Sequence, residues 1–131
     1  MPYAIEIDPR ARIAYLIGTG ATNPDEGHAT LVELAAHPDF EPGFGLVCDL
    51  RGLDLEPTET PELTMGGFEN VVRFKPLLRS RMGIVVGPEQ EMLSELSAAL
   101  YATAGLEARV FRGLDEARAW VKEATVPETA A

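Results

Sequence analysis

Few residues in this chain have the type and spacing to do chemistry. The two histidines, His28 and His37, stand nine positions apart with no cysteine partner. Zinc sites draw nitrogen and sulfur ligands at closer, paired spacings, so this pair predicts no metal. The single cysteine, Cys48, lies inside the apolar run Leu46-Val47-Cys48-Asp49-Leu50. A nucleophilic thiol needs a positive or helix-N-terminal setting to lower its pKa. The neighbouring Asp49 acts the other way, so Cys48 reads as a core residue. Gly18-Thr19-Gly20 has the look of a dinucleotide loop but lacks the third glycine and the preceding βαβ unit. Asp49 and Arg51 fall where a central strand ends. Open α/β sheets gather their ligands there, so this pair is a candidate anchor for a polar ligand. The chain therefore predicts a protein that is not an enzyme and uses neither cofactor nor metal.

The elements that would position these residues follow from periodicity. Tyr3–Ile7 and Ile13–Ile17 read as strands, and the Asp8-Pro9-Arg10 turn between them makes an antiparallel hairpin. Gly18 to Gly20 ends the second strand. Thr22 or Asn23 caps a helix that opens on Pro24, carries the stripe Leu31, Leu34, Ala35, and stops at His37-Pro38. Leu46–Leu50 is a strand covered on both faces. An acidic loop runs to Thr60, and Pro61 opens a second helix through Leu63, Phe68, Val71 and Val72. Gly66-Gly67 within it costs about 1 kcal/mol per glycine against alanine, which marks a tight contact or a hinge.

Met82–Val86 is the next strand. A third helix follows Gly87-Pro88, with Met92, Leu93, Leu96 and Leu100 on one face and Gly105 as its stop. Ala108–Phe111 is the last strand. The closing helix turns Leu114, Ala117, Trp120 and Val121 inward. The order ββαβαβαβα predicts an α/β domain over residues 1–124. Its five-stranded sheet is mostly parallel, with an antiparallel edge strand and about four helices. Residues 125–131 read as a frayed tail.

Charge narrows the partners. Of the net −10, residues 1–62 carry −9 and residues 63–131 carry −1. Phosphate neutralisation dominates nucleic-acid affinity, so this balance excludes nucleic acid as the main partner. The basic exception is Val71–Met82, where Arg73, Lys75, Arg79 and Arg81 interleave with Val72, Phe74, Leu77 and Leu78. Such a segment suits an acidic protein partner or an anionic membrane surface. With the glycine pair before it, the helix also suits a flap over a small apolar ligand. Phe68, Arg73, Phe74 and Lys75 join Asp49 and Arg51 as the candidate partner or ligand surface. One cysteine and no basic-then-apolar leader predict a cytoplasmic protein. An edge strand or the basic helix offers a route to a homodimer.

The element order, Leu46-Val47-Cys48-Asp49-Leu50-Arg51-Gly52, and the closing Val110-Phe111-Arg112-Gly113-Leu114-Asp115-Glu116-Ala117-Arg118-Ala119-Trp120-Val121 together resemble the STAS fold. The match is to the divergent SpoIIAA-like branch of anti-sigma-factor antagonists. The resemblance implies a non-enzymatic regulatory or protein-interaction module of a bacterial cytoplasm. Regulatory members are phosphorylated on a serine at the start of the helix after that strand. Carried over, that position is Thr58, with Thr60 beside it. The family's Asp-Ser-Ser is Pro57-Thr58-Glu59 here, and Glu56, Glu59 and Glu62 would repel a phosphate. Thr60 also reads simply as a helix cap before Pro61.

Overall fold

The computed structural model describes residues 3–21, 24–54, 69, 72–75 and 81–124. Thr58, Thr60, Phe68, the acidic loop, the Gly66-Gly67 pair and the tail lie outside the described residues. Chain order is β1 (Tyr3–Asp8), β2 (Ile13–Gly20), α1 (Pro24–Ala35), β3 (Gly45–Leu53), β4 (Arg81–Val85), α2 (Glu91–Thr103), β5 (Glu107–Phe111) and α3 (Leu114–Ala124). The five strands form one sheet in sequence order. β1 pairs antiparallel with β2, and every later pairing is parallel. This is the α/β architecture with an antiparallel edge that the element order predicts.

Alternation along the strands sorts the core into two faces. Ala14, Leu16, Leu46, Met82 and Ile84 point to one face. There they meet Leu31 and Leu34 of α1, Tyr101 of α2, and Phe40, Phe44 and Leu106 from loops. Ile13, Val47 and Val85 point to the other face and are covered by Ala117 and Val121 of α3. Successive parallel strands laid down in one direction, with crossovers of one hand, put their connecting helices on one face. The last helix is then left to cover the other.

Gly83 lets α3 come close. A Cβ there would sit 3.1 Å from Val121 Cγ2 and 3.2 Å from Ala117 Cβ. The C-terminus of α2 ends in a Schellman motif. Gly105 has φ +82, its N–H donates to the Ala102 carbonyl, and the Leu106 N–H donates to the Tyr101 carbonyl. Leu106 and Tyr101 then bury their side chains in the same cluster.

Four expectations change, the last of them at Trp120. β2 and β3 run on past Ile17 and Leu50, to Gly20 and Leu53. A register shift between Ile17 and Thr19 absorbs an extra residue, and pairing resumes at Thr19 with Gly52. Among the described side chains of α2, Ser94, Ala98 and Tyr101 are buried, while Leu96 is 54% exposed. Small residues there let the helix sit close to the sheet, and Tyr101 fills the gap that remains. In α1, Thr30 rather than Ala35 joins Leu31 and Leu34 in burial. Its hydroxyl donates to the Glu26 carbonyl at 2.8 Å, which satisfies it within the helix.

Trp120 is only partly buried, at the rim of the second cluster. The Arg81 guanidinium covers its ring at 4.6 Å and donates to the Trp120 carbonyl at 2.8 Å. Trp120→Ala should therefore cost less in thermal unfolding than the roughly 3–5 kcal/mol of a fully enclosed tryptophan.

Candidate functional site

Asp49 is the last inward-facing position of β3 on the α3 side of the sheet, two residues beyond the buried Val47. Arg51, two residues further, reaches back to it. Arg51 Nε donates to Oδ1 at 2.9 Å and Nη2 to Oδ2 at 2.7 Å. The Arg51 backbone N–H adds a third bond to Oδ1 at 3.2 Å. The carboxylate is 13% exposed and the guanidinium 45%. Hydrogen bonding from the Arg51 side chain, partly opposed by burial, holds the Asp49 pKa below its ordinary value of 3.8. The pair is thus closed on itself, with one flank of the guanidinium open to solvent.

A group with a lowered folded pKa stabilises the fold above its unfolded pKa, and that benefit is lost as pH falls through the folded value. Arg51→Gln should therefore cost about 0.5–1 kcal/mol at neutral pH, as expected of a half-exposed pair. The difference from wild type should shrink as pH falls below 3.8. Urea melts at several pH values would show this. A pH-independent difference would mean that Arg51 acts through packing.

Sequence reasoning missed the residue that organises this end of the sheet. Gln90 precedes α2 and is 8% exposed. Its Nε2 donates to the carbonyls of Leu50 at 2.8 Å and Leu53 at 3.1 Å. Its Oε1 accepts the Gly87 N–H at 3.0 Å. One amide therefore ties the end of β3 to the β4–α2 turn. Gln three residues after Gly87 at a helix start has the spacing of a capping interaction, which is the signal that could have found it. Next to it, the strands touch backbone to backbone. A Cβ on Gly52 would lie 2.8 Å from the Gly18 carbonyl oxygen. The Gly-Thr-Gly stretch is thus a site of close strand approach.

Cys48 faces the opposite side, toward the first cluster. Part of its surface is accessible, but the protein packed around the sulfur governs the thiol. Burial first, and Asp49 second, push its pKa up to about 12. The native thiol should react with iodoacetamide at mildly alkaline pH far more slowly than the urea-unfolded thiol. Equal rates would contradict this environment.

Arg73, Phe74 and Lys75 also lie on this first side. Phe74 packs against the first cluster, and its ring meets His28 of α1 at 5.5 Å. Arg73 Nη1 lies 3.4 Å from His28 Nδ1. Lys75 Nζ lies against Gly105, at the end of α2. Val72, Arg73 and Lys75 are exposed, as is Val32, one turn beyond His28 on α1. Phe74 therefore pins an exposed apolar and basic ridge between α1 and the end of α2. The structure does not unite this ridge with Asp49 and Arg51, which belong to the other face. His37, the remaining histidine, accepts the Asp39 N–H on Nδ1 at 3.1 Å. Among the described residues, no group of three or more His, Cys, Asp or Glu side chains is placed to hold a metal ion. No helix among them is long and apolar enough to cross a membrane.

No protein-family model matches the chain. No curated protein matches it either. Among solved structures, it is similar to an uncharacterized protein of the DUF3478 family from Shewanella loihica PV-4. That structure has a SpoIIAA-like fold, and the match has a TM-score of 0.60 with 17% identity over 91% of each chain. The fold here is therefore SpoIIAA-like.

Proposed function

We propose that this chain is a non-enzymatic, STAS-like regulatory module of a bacterial cytoplasm, and that it binds a protein partner through the ridge Val72-Arg73-Lys75. One observation carries the reading. Arg73 and Lys75, from the basic concentration of an acidic chain, stand exposed on either side of Phe74, beside exposed Val32 and Val72. A polar rim around apolar contacts is the usual anatomy of an interface. Charge reversal at rim positions lowers the association rate and its salt dependence.

The partner is a protein surface rich in Asp and Glu. Affinity capture with wild-type protein and with the Arg73→Glu/Lys75→Glu variant tests the reading. A stoichiometric partner should bind wild type and be lost from the folded variant. Retention of the same partner by the variant would remove the ridge from the interface.

A second reading has the same ridge as its support. Exposed valine between basic side chains also suits an anionic lipid surface, with a small apolar ligand as cargo. Co-sedimentation with phosphatidylserine vesicles, absent with phosphatidylcholine vesicles, would favour it over the protein partner.

A further inference from the structure

At the opposite end of the sheet from Asp49 and Gln90, the β1–β2 turn faces the loop that leads into β3. Between them lies a cleft of about 470 Å³. That volume is within the usual range for small-molecule sites, roughly 300–1,000 Å³.

The turn side is built at a conformational cost. Asp8 Oδ1 accepts the Ala11 N–H at 3.1 Å and shapes the turn. Arg12 then takes φ +58, a left-handed conformation in which a non-glycine residue is strained. Glycine would relieve that strain, yet the position holds an arginine whose side chain is well used. Its guanidinium lies 4.9 Å over the Phe44 ring and 3.7 Å from Glu41. Its carbonyl accepts the Gly45 N–H at 2.9 Å, which locks turn to loop. Arg10 stands exposed on the same rim.

The loop side is equally fixed. Asp39 and Glu41 flank Phe40, which is buried edge-on against Phe44 at 5.7 Å. Burial of Phe40 leaves the two carboxylates on either side of it at the rim, where both are exposed. Pro9 and Pro38 add rigid apolar walls.

The charge pattern selects the ligand class. Two guanidiniums and two carboxylates line one small cleft. A simple anion or a simple cation would meet as much repulsion as attraction there. A ligand that carries both charges a few ångströms apart meets attraction at each end. We propose that the cleft binds a small zwitterion of amino-acid type, with its carboxylate at Arg10 and Arg12 and its ammonium between Asp39 and Glu41. Its side chain lies along Pro9 and Pro38.

The test is an NMR titration of the full chain with a panel of L-amino acids (phenylalanine, leucine, glutamate and arginine). Phenethylamine and 3-phenylpropionate serve as half-charged analogues of phenylalanine. Saturable shifts confined to residues 9–12 and 38–45 are expected with at least one amino acid. An apolar one should bind at least about tenfold more tightly than its half-charged analogues, a difference of about 1.4 kcal/mol. Arg10→Ala, at an exposed position, should weaken binding about tenfold with unchanged thermal stability. Arg12→Gly, which keeps the backbone conformation at ease, should weaken binding by a similar factor. No saturable shift across the panel, equal affinity for the half-charged analogues, or full affinity in both variants would overturn the proposal.

Discussion

Replacing Ile13 with alanine is expected to lower the unfolding free energy by about 2–5 kcal/mol, the range for a large aliphatic side chain removed from an enclosed core. Ile13 is 0% exposed and sits with Val47, Val85, Ala117 and Val121 beneath α3. It opens β2, with Asp8 opposite on one side and Gly45 on the other. These backbone pairings prevent the site from collapsing around the lost atoms, which places the cost in the upper part of the range. Urea unfolding followed by tryptophan fluorescence would measure it, since Trp120 reports on the same cluster. Val32→Ala serves as the comparison. Val32 is 48% exposed, so truncation there should change stability by no more than about 0.5 kcal/mol. Equal midpoints for the two variants would mean that the second cluster does not hold α3 on the sheet.

Gln90→Leu should come next, at about 2–4 kcal/mol. The change keeps most of the volume but removes one acceptor and two donated bonds. The Leu50 and Leu53 carbonyls and the Gly87 N–H would lose their side-chain partner. A buried polar group left without a partner costs about 1–3 kcal/mol, while an ordinary hydrogen bond contributes about 1. Gln90→Glu should be at least as damaging, because a carboxylate would face two carbonyl oxygens. The loss has a local signature. Amide exchange should accelerate at residues 50–54 and at Gly87, Glu89 and Gln90 before the rest of the sheet responds. A variant as stable as wild type, with unchanged exchange at those amides, would show that β3 and the β4–α2 turn hold together without the glutamine.

The sheet was legible because its signals are local. Asp8-Pro9-Arg10 between two β-branched runs specifies a hairpin, and each later strand is a short apolar run closed by a glycine or a helix signal. The buried face of α2 was not legible in the same way. Leu96 outweighs Ser94 and Ala98 in any hydrophobicity pattern, yet close approach to the sheet favours the small ones. Gln90 escaped because its partners are backbone carbonyls some forty residues away in sequence, which carry no residue signature. Arg12 escaped for another reason. Its left-handed backbone is visible only once the turn has been built, and arginine does not advertise it. Asp49 and Arg51 were legible together as polar residues at the end of a strand, but the closing of their side chains on each other was not. Their separation from Arg73 and Phe74 depends on which face each element covers, and that follows from the strand alternation only after the register is known.

The measurement that bears most directly on the proposed module is quantitative affinity capture with wild type and with Arg73→Glu/Lys75→Glu, after circular dichroism shows equal folding. One acidic protein, in near-stoichiometric amount, is expected with wild type and should be lost from the variant. The same protein captured equally by both would contradict a partner surface on this ridge.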